Sequence, residues 1–306
     1  MQGYYSLTTA MTMRTSDRPR SPAASSRRAG DLRDANRGER LHKALAHAGV
    51  ASRRACEALV AEGRVRVNGA EIRQLPVWVD LSQDVVAIDG LRVGAPIRKL
   101  HILLNKPERC VSTVRDEAGR RTVVDLVSHP SGDRLYPVGR LDIDTRGLVL
   151  LTNDGELAQR LTHPRYGVEK VYRAIVKGVV SQETLVAMRE GVMLAKRESG
   201  KTHGAARASA TVRVVHREPL RTILDITLHE GQNRQIRRMF AQFGHPVKRL
   251  TRIRMGPLEL RGVALGAWRE LTVMEIRALR RAAGLQRRRG VNRVAPAESS
   301  NGKPAR

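Results

Sequence analysis

The charged stretch between residues 136 and 155 is the part of the sequence best suited to chemistry. Within it, Arg140 and Asp142 lie between two glycines, Gly139 and Gly147, which allow sharp backbone turns. An uninterrupted apolar run follows, and it predicts a strand that is buried on both faces. The pattern therefore predicts a carboxylate that is held beside a rigid element.

Two carboxylates in this stretch, Asp142 and Asp144, suggest glycoside hydrolysis as one candidate chemistry. Such an enzyme needs an acid and a base separated by about 5 to 9.5 Å. In an extended segment both side chains would lie on one face, but no aromatic residue accompanies them to bind a sugar. A single carboxylate aided by arginine suits an internal isomerisation, in which a glycosidic bond is broken and the base is reattached. A surface turn in which Asp142 pairs with Arg140 or Arg146 is the alternative without chemistry.

The same stretch resembles the catalytic motif of the RsuA-type ribosomal RNA pseudouridine synthases. The matching residues are Gly139, Arg140, Leu141, Asp142, Thr145, Gly147 and the run 148–155. Segments 170–172 and 230–239 match the family's other motifs in the expected order, and the resemblance extends from about residue 40 to about residue 279. Residues 233–237 resemble the large-subunit branch more than the small-subunit branch. The resemblance implies site-specific isomerisation of uridine to pseudouridine in ribosomal RNA, of the large subunit (23S), with no cofactor.

The resemblance also implies a role for four residues. Asp142 would be the essential carboxylate, which either adds to the sugar or base or removes a ribose proton. Arg237 would hold Asp142 ionised through a charge-assisted pair. Tyr172 would stack on the target base, and Arg140 would enter the RNA where that base has been flipped out. The alternatives are a core aromatic at Tyr172 and a phosphate contact at Arg237.

A predicted amphipathic helix carries Arg237. Its apolar residues recur at the i, i+3, i+4 and i+7 positions and are Ile236, Met239, Phe240 and Phe243. Gly244 marks its end. The other side of the helix is basic, and by resemblance we predict that Arg234 and Arg238 bind RNA there.

The N-terminal third predicts a small RNA-binding module. Apolar spacing indicates one helix from about residue 41 and a second behind Ser52, and Asn68-Gly69 favours a tight hairpin turn. The layout resembles the RNA-binding module of ribosomal protein S4. By that resemblance, the RNA-binding residues are Arg53, Arg54, Arg64 and Arg66. A solvated basic face is the alternative for any one of them.

The predicted fold is α+β, with this helix-pair and sheet module at 39–93 and a pseudouridine synthase domain at 98–284. That domain should contain a mostly antiparallel mixed sheet and a central RNA cleft. The basic run before Ala208 is predicted as a loop, followed by a strand at 208–215. Residues 1–38 and 285–306 are predicted to be disordered basic tails.

Composition indicates a polyanionic partner. The formal net charge is +26, from 56 Lys and Arg against 30 Asp and Glu, which favours a nucleic-acid surface. The resemblance implies that the partner is ribosomal RNA or a ribosome-assembly intermediate. The two cysteines indicate reduced thiols, and the nine histidines show no metal-ligand spacing, so no metal or small-molecule cofactor is expected. No apolar run reaches the ~18 to 20 residues of a membrane span, and we expect a cytoplasmic monomer.

Two noncatalytic functions compete with the enzyme. The same basic surfaces would suit a ribosome-assembly factor or a structural ribosomal protein. Asp142 distinguishes the enzyme from the assembly factor, because a carboxylate that faces RNA repels phosphate and brings no advantage to a protein that only binds. The three ordered motifs therefore favour the enzyme.

Overall fold

The computed structural model describes residues 32–94, 98–132, 134–198 and 201–285. Its N-terminal part is a small module whose helices pack on a short antiparallel sheet around one apolar cluster. In chain order its elements are a 3₁₀ turn at Ala35–Arg37, β1 (Glu39–Arg40), α1 (Leu41–His47), α2 (Arg53–Ala61), β2 (Val65–Val67), β3 (Ala70–Ile72), β4 (Trp78–Val79), β5 (Val86–Ile88) and β6 (Leu91–Arg92).

Local signals in the module act as predicted. The Ser52 hydroxyl accepts a hydrogen bond from the backbone N–H of Ala55 at 3.1 Å and so caps α2. Asn68 and Gly69 both have positive φ, 52° and 88°, and form the turn between β2 and β3. A helix pair on a small sheet is therefore present where the sequence predicts it.

The predicted N-terminal tail extends too far, because residues 32–38 pack on the module. Arg37 forms an ion pair with Asp84 at 2.5 Å, and the backbone N–H of Trp78 donates to the Leu32 carbonyl at 2.8 Å. These partners are more than forty positions away in sequence, so no local periodicity marks the segment as ordered. The remainder of both predicted tails, 1–31 and 286–306, lies outside the described residues.

The second part of the chain is built around one large sheet with helices packed on it. In chain order its elements are β7 (His101–Lys106), β8 (Tyr136–Val138), β9 (Arg146–Thr152), α3 (Gly155–Thr162), a 3₁₀ turn at Pro164–Tyr166, β10 (Lys170–Lys177), α4 (Gln182–Glu190), β11 (Val192–Glu198), β12 (Lys201–Ala208), β13 (Thr211–Glu218), β14 (Arg221–Leu228), α5 (Gln235–Gln242), β15 (Val247–Met255), β16 (Leu258–Glu259), β17 (Trp268–Glu270) and α6 (Val273–Ala282).

Within the described residues, the large sheet has nine strands in the order β13-β14-β10-β15-β9-β7-β17, with β8 beside β9 and β16 beside β15. The strand pairs of this sheet are antiparallel except for β15 and β9. At that parallel junction a Cβ atom on Gly147 would lie 2.3 Å from the Arg252 carbonyl oxygen, so a glycine is required. The predicted α+β fold with a mostly antiparallel mixed sheet is confirmed.

Helices cover the sheet through their apolar faces. Helices α4 and α5 pack on the half that contains β10 and β14, while α3 and α6 pack on β7 and β9. Ile236, Met239 and Phe240 of α5 are buried, as the periodicity predicts. Helix α5 is thereby fixed on the sheet, and its arginines lie outside this apolar cluster.

The predicted loop before Ala208 is wrong, because β11 and β12 form an antiparallel hairpin there, and the following strand begins at Thr211. Helix α5 supports this hairpin. The Gln242 side chain donates to the Met193 carbonyl at 3.0 Å, and Arg238 donates to the Ala195 carbonyl. The supporting residues lie 43 and 49 positions away in sequence, so the local pattern alone does not predict the hairpin.

Candidate active site

A buried lysine holds the loop between β8 and β9 through hydrogen bonds to its backbone. Lys106 ends β7 and is 0% exposed, and its Nζ donates to the carbonyl oxygens of Asp142 at 3.1 Å and Thr145 at 2.8 Å. It also donates to the Pro107 carbonyl at 3.0 Å. Burial lowers the pKa of Lys106 from its usual value. No role was predicted for this residue, although a lysine that directly extends an apolar strand is a usable signal.

Backbone contacts restrict the same loop further. The N–H of Thr145 donates to the Asp142 carbonyl at 3.0 Å, and that of Arg109 donates to the Ile143 carbonyl at 2.9 Å. The Ser112 hydroxyl accepts from the Leu141 N–H at 3.1 Å. The Asp142 side chain is therefore presented from a fixed backbone, which is the arrangement a reactive group requires.

Two carboxylates of the loop meet two arginines near the start of α5. Arg234 makes a bidentate contact with Asp144, in which both Nη–Oδ distances are 3.1 Å, and its Nη1 lies 3.4 Å from Asp142 Oδ2. Arg237 donates to the Asp144 carbonyl at 2.9 Å and lies 3.3 Å from Asp144 Oδ2. The result is a four-residue charge cluster centred on Asp144.

The predicted pair between Arg237 and Asp142 is therefore wrong. Arg237 instead contacts Asp144, and it also donates to the Val247 carbonyl at 3.2 Å. Arg234 precedes the helix in a left-handed conformation, with φ of 46°, and this places its guanidinium beside both carboxylates. Sequence spacing alone did not distinguish the two arginines, because the backbone reversal before α5 decides which of them faces Asp142.

The cluster keeps Asp144 charged. Burial raises the pKa of Asp144, but the hydrogen bond from Arg234 and the positive charges of Arg237 and Arg234 outweigh it, so the pKa lies below its usual value. Hydrogen bonding to Asp144 correspondingly raises the pKa of Arg234. Both groups are ionised at neutral pH.

A small pocket of about 100 Å³ opens beside Asp142. Tyr172 on β10 lies in its wall with Leu228 and Leu250, which supply apolar surface, and Arg140 and Arg234 lie at the same pocket. Tyr172 is half-buried and packs against apolar clusters on both sides. The structure therefore brings Asp142, Tyr172, Arg140 and Arg234 together, whereas Arg237 does not line this pocket.

Among the described residues, neither Arg140 nor Arg146 forms an ion pair with Asp142, as the surface-turn alternative would require. Arg146 pairs with Glu108 at 2.7 Å, and Arg140 is exposed at the pocket. Arg238 is engaged structurally, since it donates to the carbonyls of Ala195 and Asn233. Its predicted contact with RNA would have to share the guanidinium with those bonds.

The basic residues of the N-terminal module differ in availability. Arg64 is tied to Asp89 at 2.5 Å and to Glu62 at 3.3 Å, whereas Arg53, Arg54 and Arg66 are exposed. A cleft of about 670 Å³ lies between the module and the second domain. Its cationic lining residues are Lys43, Arg53, Arg54, Lys99 and Arg134. Arg66 does not line this cleft.

In residues 32–94, 98–132, 134–198 and 201–285 there is no group of three or more His, Cys, Asp or Glu residues placed to hold a metal ion. No helix in those ranges is long and apolar enough to cross a bilayer.

Comparison with known proteins agrees with this geometry. Residues 100–242 match the RNA pseudouridylate synthase family model, and residues 39–75 match the S4 domain model. A ribosomal large subunit pseudouridine synthase B of Bacillus subtilis is 45% identical over 242 residues, which cover 79% of this chain and 96% of the relative. The chain belongs to the RNA pseudouridine synthase family. The RsuA-type resemblance and the S4-like module are confirmed.

Further relatives of this pseudouridine synthase support the assignment. An uncharacterised RNA pseudouridine synthase of Aquifex aeolicus is 45% identical over 248 residues, which cover 81% of this chain and 96% of the relative. A crystal structure of a pseudouridylate synthase matches with a TM-score of 0.54 and 28% identity, and the match covers 79% of this chain and 100% of the other.

Proposed function

We propose that this pseudouridine synthase isomerises a specific uridine in large-subunit ribosomal RNA and that Asp142 is its reactive carboxylate. The observation that carries the proposal is the placement of Asp142 on a rigid loop, at a pocket with Tyr172 and two arginines. The name of the Bacillus subtilis relative supports ribosomal large-subunit RNA as the substrate class.

The reaction exchanges one bond of the sugar for another. The C1′–N1 bond of uridine breaks, a C1′–C5 bond forms, and the proton on C5 is released while N1 gains one. No net oxidation occurs and no water is consumed. Asp142 would either add to the sugar or base or remove a ribose proton, and both roles need an ionised carboxylate with an oxygen that the protein leaves uncovered.

The pocket walls suit a base that has left its helix. Tyr172 would stack on the extruded uracil, with Leu228 and Leu250 completing the apolar walls. Arg140 is exposed at the pocket and would occupy the space that the base vacates. Arg234 takes the position beside Asp142 that the sequence suggested for Arg237, and Arg237 would act on the loop through Asp144.

Substrate binding would extend to the cleft beside the module. Arg53 and Arg54 face the same cleft as Lys99 and Arg134, so phosphates that flank the target would meet positive charge from both parts of the chain. Arg66 would contribute at the exposed side of the module. We further propose that the protein acts as a monomer in the cytoplasm, on ribosomal RNA or an assembly intermediate.

Mapping pseudouridines in ribosomal RNA from cells with and without this protein tests the proposal. We expect loss of modification at defined large-subunit positions, restored by the wild-type gene and not by one that encodes Asp142→Asn. An unchanged pseudouridine map would contradict the enzyme and favour the assembly factor. Loss confined to the small subunit would contradict the substrate.

A further inference from the structure

Asp144 receives most of the positive charge that α5 brings to the loop. Both of its side-chain oxygens are 3.1 Å from Arg234, and Arg237 contacts its Oδ2 at 3.3 Å and its carbonyl at 2.9 Å. Asp144 therefore has a fork-to-fork contact with one arginine and a second arginine on the same carboxylate. This geometry is the strongest form of a carboxylate–guanidinium interaction.

The same two arginines make fewer and longer contacts with Asp142. Among the described residues, its side chain has one ion-pair contact, at 3.4 Å to Arg234, and it is 31% exposed. Arg237 makes its hydrogen bonds to Val247 and Asp144 instead. The two carboxylates are two positions apart, yet Asp144 has a bidentate contact with one arginine and a further contact with a second, whereas Asp142 has a single, longer one.

We propose that Asp144 is a positioning residue: it engages Arg234 and Arg237 so that neither arginine covers the Asp142 carboxylate with a bidentate contact, and Asp142 stays free to react. The inference rests on the proposed role of Asp142. A carboxylate that is covered by a bidentate guanidinium loses basicity and presents fewer free lone pairs. Asp144 prevents this by accepting the bidentate contact of Arg234, which leaves Asp142 with a single ion-pair contact.

Removal of the Asp144 charge should redirect Arg234. Its left-handed backbone at φ 46° keeps the guanidinium beside the loop, and Asp142 is the neighbouring carboxylate already within 3.4 Å. In Asp144→Asn, we expect Arg234 to close on Asp142. The chemical step should slow while RNA binding stays near the wild-type level, because no phosphate contact is removed.

The experiment measures single-turnover tritium release at saturating RNA. The probe is large-subunit ribosomal RNA from cells that lack the protein, labelled with tritium at C5 of uridine. Asp144→Asn should be slower by about 10- to 100-fold, on the scale of a misplaced reacting group. Asp144→Glu should recover most of the rate, since it restores the charge. Unfolding temperature and RNA affinity are measured for each variant.

Glu108→Gln is the matched control. Glu108 contacts Arg146 at 2.7 Å next to the same loop and is 40% exposed, against 43% for Asp144, and the change in net charge is identical. It should keep the wild-type rate within about threefold, because the pair it removes does not include the arginine that contacts Asp142. A rate for Asp144→Asn equal to that of the control would overturn the proposal.

A second variant separates positioning from a merely structural role. Adding Arg234→Gln to Asp144→Asn removes the guanidinium that would cover Asp142, so the double variant should be faster than Asp144→Asn. A double variant that is no faster would also overturn the proposal. If the wild-type protein itself releases no tritium from this probe, the proposed function fails, which is distinguishable from failure of Asp144 alone.

Discussion

At the scale of single residues, the site depends on charges that are unusual for their burial. Lys106 is enclosed by the loop and donates to its carbonyl oxygens, so its ammonium acts as a fixed support beneath Asp142. A buried lysine is tolerated only when such acceptors compensate for lost water. Lys106 thus links the end of a buried strand to the placement of Asp142, the carboxylate proposed to react.

We predict that Lys106→Met retains the fold but slows the chemical step by about 100-fold, because Met fills the space without holding the loop. The thermal unfolding temperature should also fall, because the carbonyl oxygens of Asp142 and Thr145 lose a buried donor. Single-turnover kinetics and calorimetry measure the two effects. A wild-type rate in Lys106→Met would show that the loop needs no such support.

Sequence reasoning found the residues that are contiguous and missed those that act across the fold. Asp142 was identifiable because its motif lies within a few positions, and the α5 core because its period is local. The predicted partner of Asp142, Arg237, was wrong because the backbone turn at Arg234 decides which arginine lies beside Asp142. Lys106 and Asp144 act on groups 36 to 93 positions away, and no local pattern encodes such contacts.

At the scale of elements, Asp154 joins several parts of the second domain. Its side chain accepts from the Leu157 N–H at 3.3 Å and so caps α3, and it also meets Lys99 at 3.1 Å and Arg280 of α6 at 3.0 Å. Asp154 is buried beside His101. Burial raises the pKa of Asp154, but contacts with His101 and Lys99 outweigh it, and the pKa lies well below its usual value.

We predict that Asp154→Asn destabilises the protein by about 2 kcal/mol at pH 7, because it removes a buried carboxylate on which the ion pairs of Lys99 and Arg280 converge. A carboxyl with a depressed pKa stabilises the fold above its unfolded pKa of about 3.9, and that contribution is lost as the pH falls. The difference between wild type and variant should therefore shrink below about pH 4. Denaturant unfolding at several pH values measures it.

The control for Asp154 is Asp89→Asn, in which an exposed ion pair with Arg64 is lost. That change should cost far less than Asp154→Asn, because solvent screens an exposed ion pair. Equal losses in the two variants, or a difference that grows toward low pH, would mean that the charge of Asp154 does not stabilise the fold through these contacts.

At the scale of the whole molecule, the module and the second domain have separate apolar clusters but meet at a close contact. A Cβ atom on Gly155, at the start of α3, would lie 2.7 Å from His47 Nε2 of the module. The cationic cleft lies beside this contact. The arrangement favours a division in which the module binds RNA and the second domain carries the chemistry.

We predict that deletion of residues 1–94 leaves a folded second domain whose RNA affinity falls while its saturated single-turnover rate is largely kept. The deletion removes Arg53 and Arg54 from the cleft and the tether that raises the local concentration of the target. Circular dichroism verifies folding, and binding is measured across a salt series. Collapse of the saturated rate in a folded fragment would mean that the module helps to assemble the active site.

Tritium release from C5-labelled uridine in large-subunit ribosomal RNA, compared between wild type and Asp142→Asn, tests the central claim most directly. Asparagine keeps the volume of the side chain and removes the reactive carboxylate. The control is Asp116→Asn, at a residue that does not line the pocket of Asp142. We predict release by wild type and control, none by Asp142→Asn, and similar RNA affinity for all three. Release by Asp142→Asn within tenfold of wild type would contradict the assignment of Asp142 as the reactive residue.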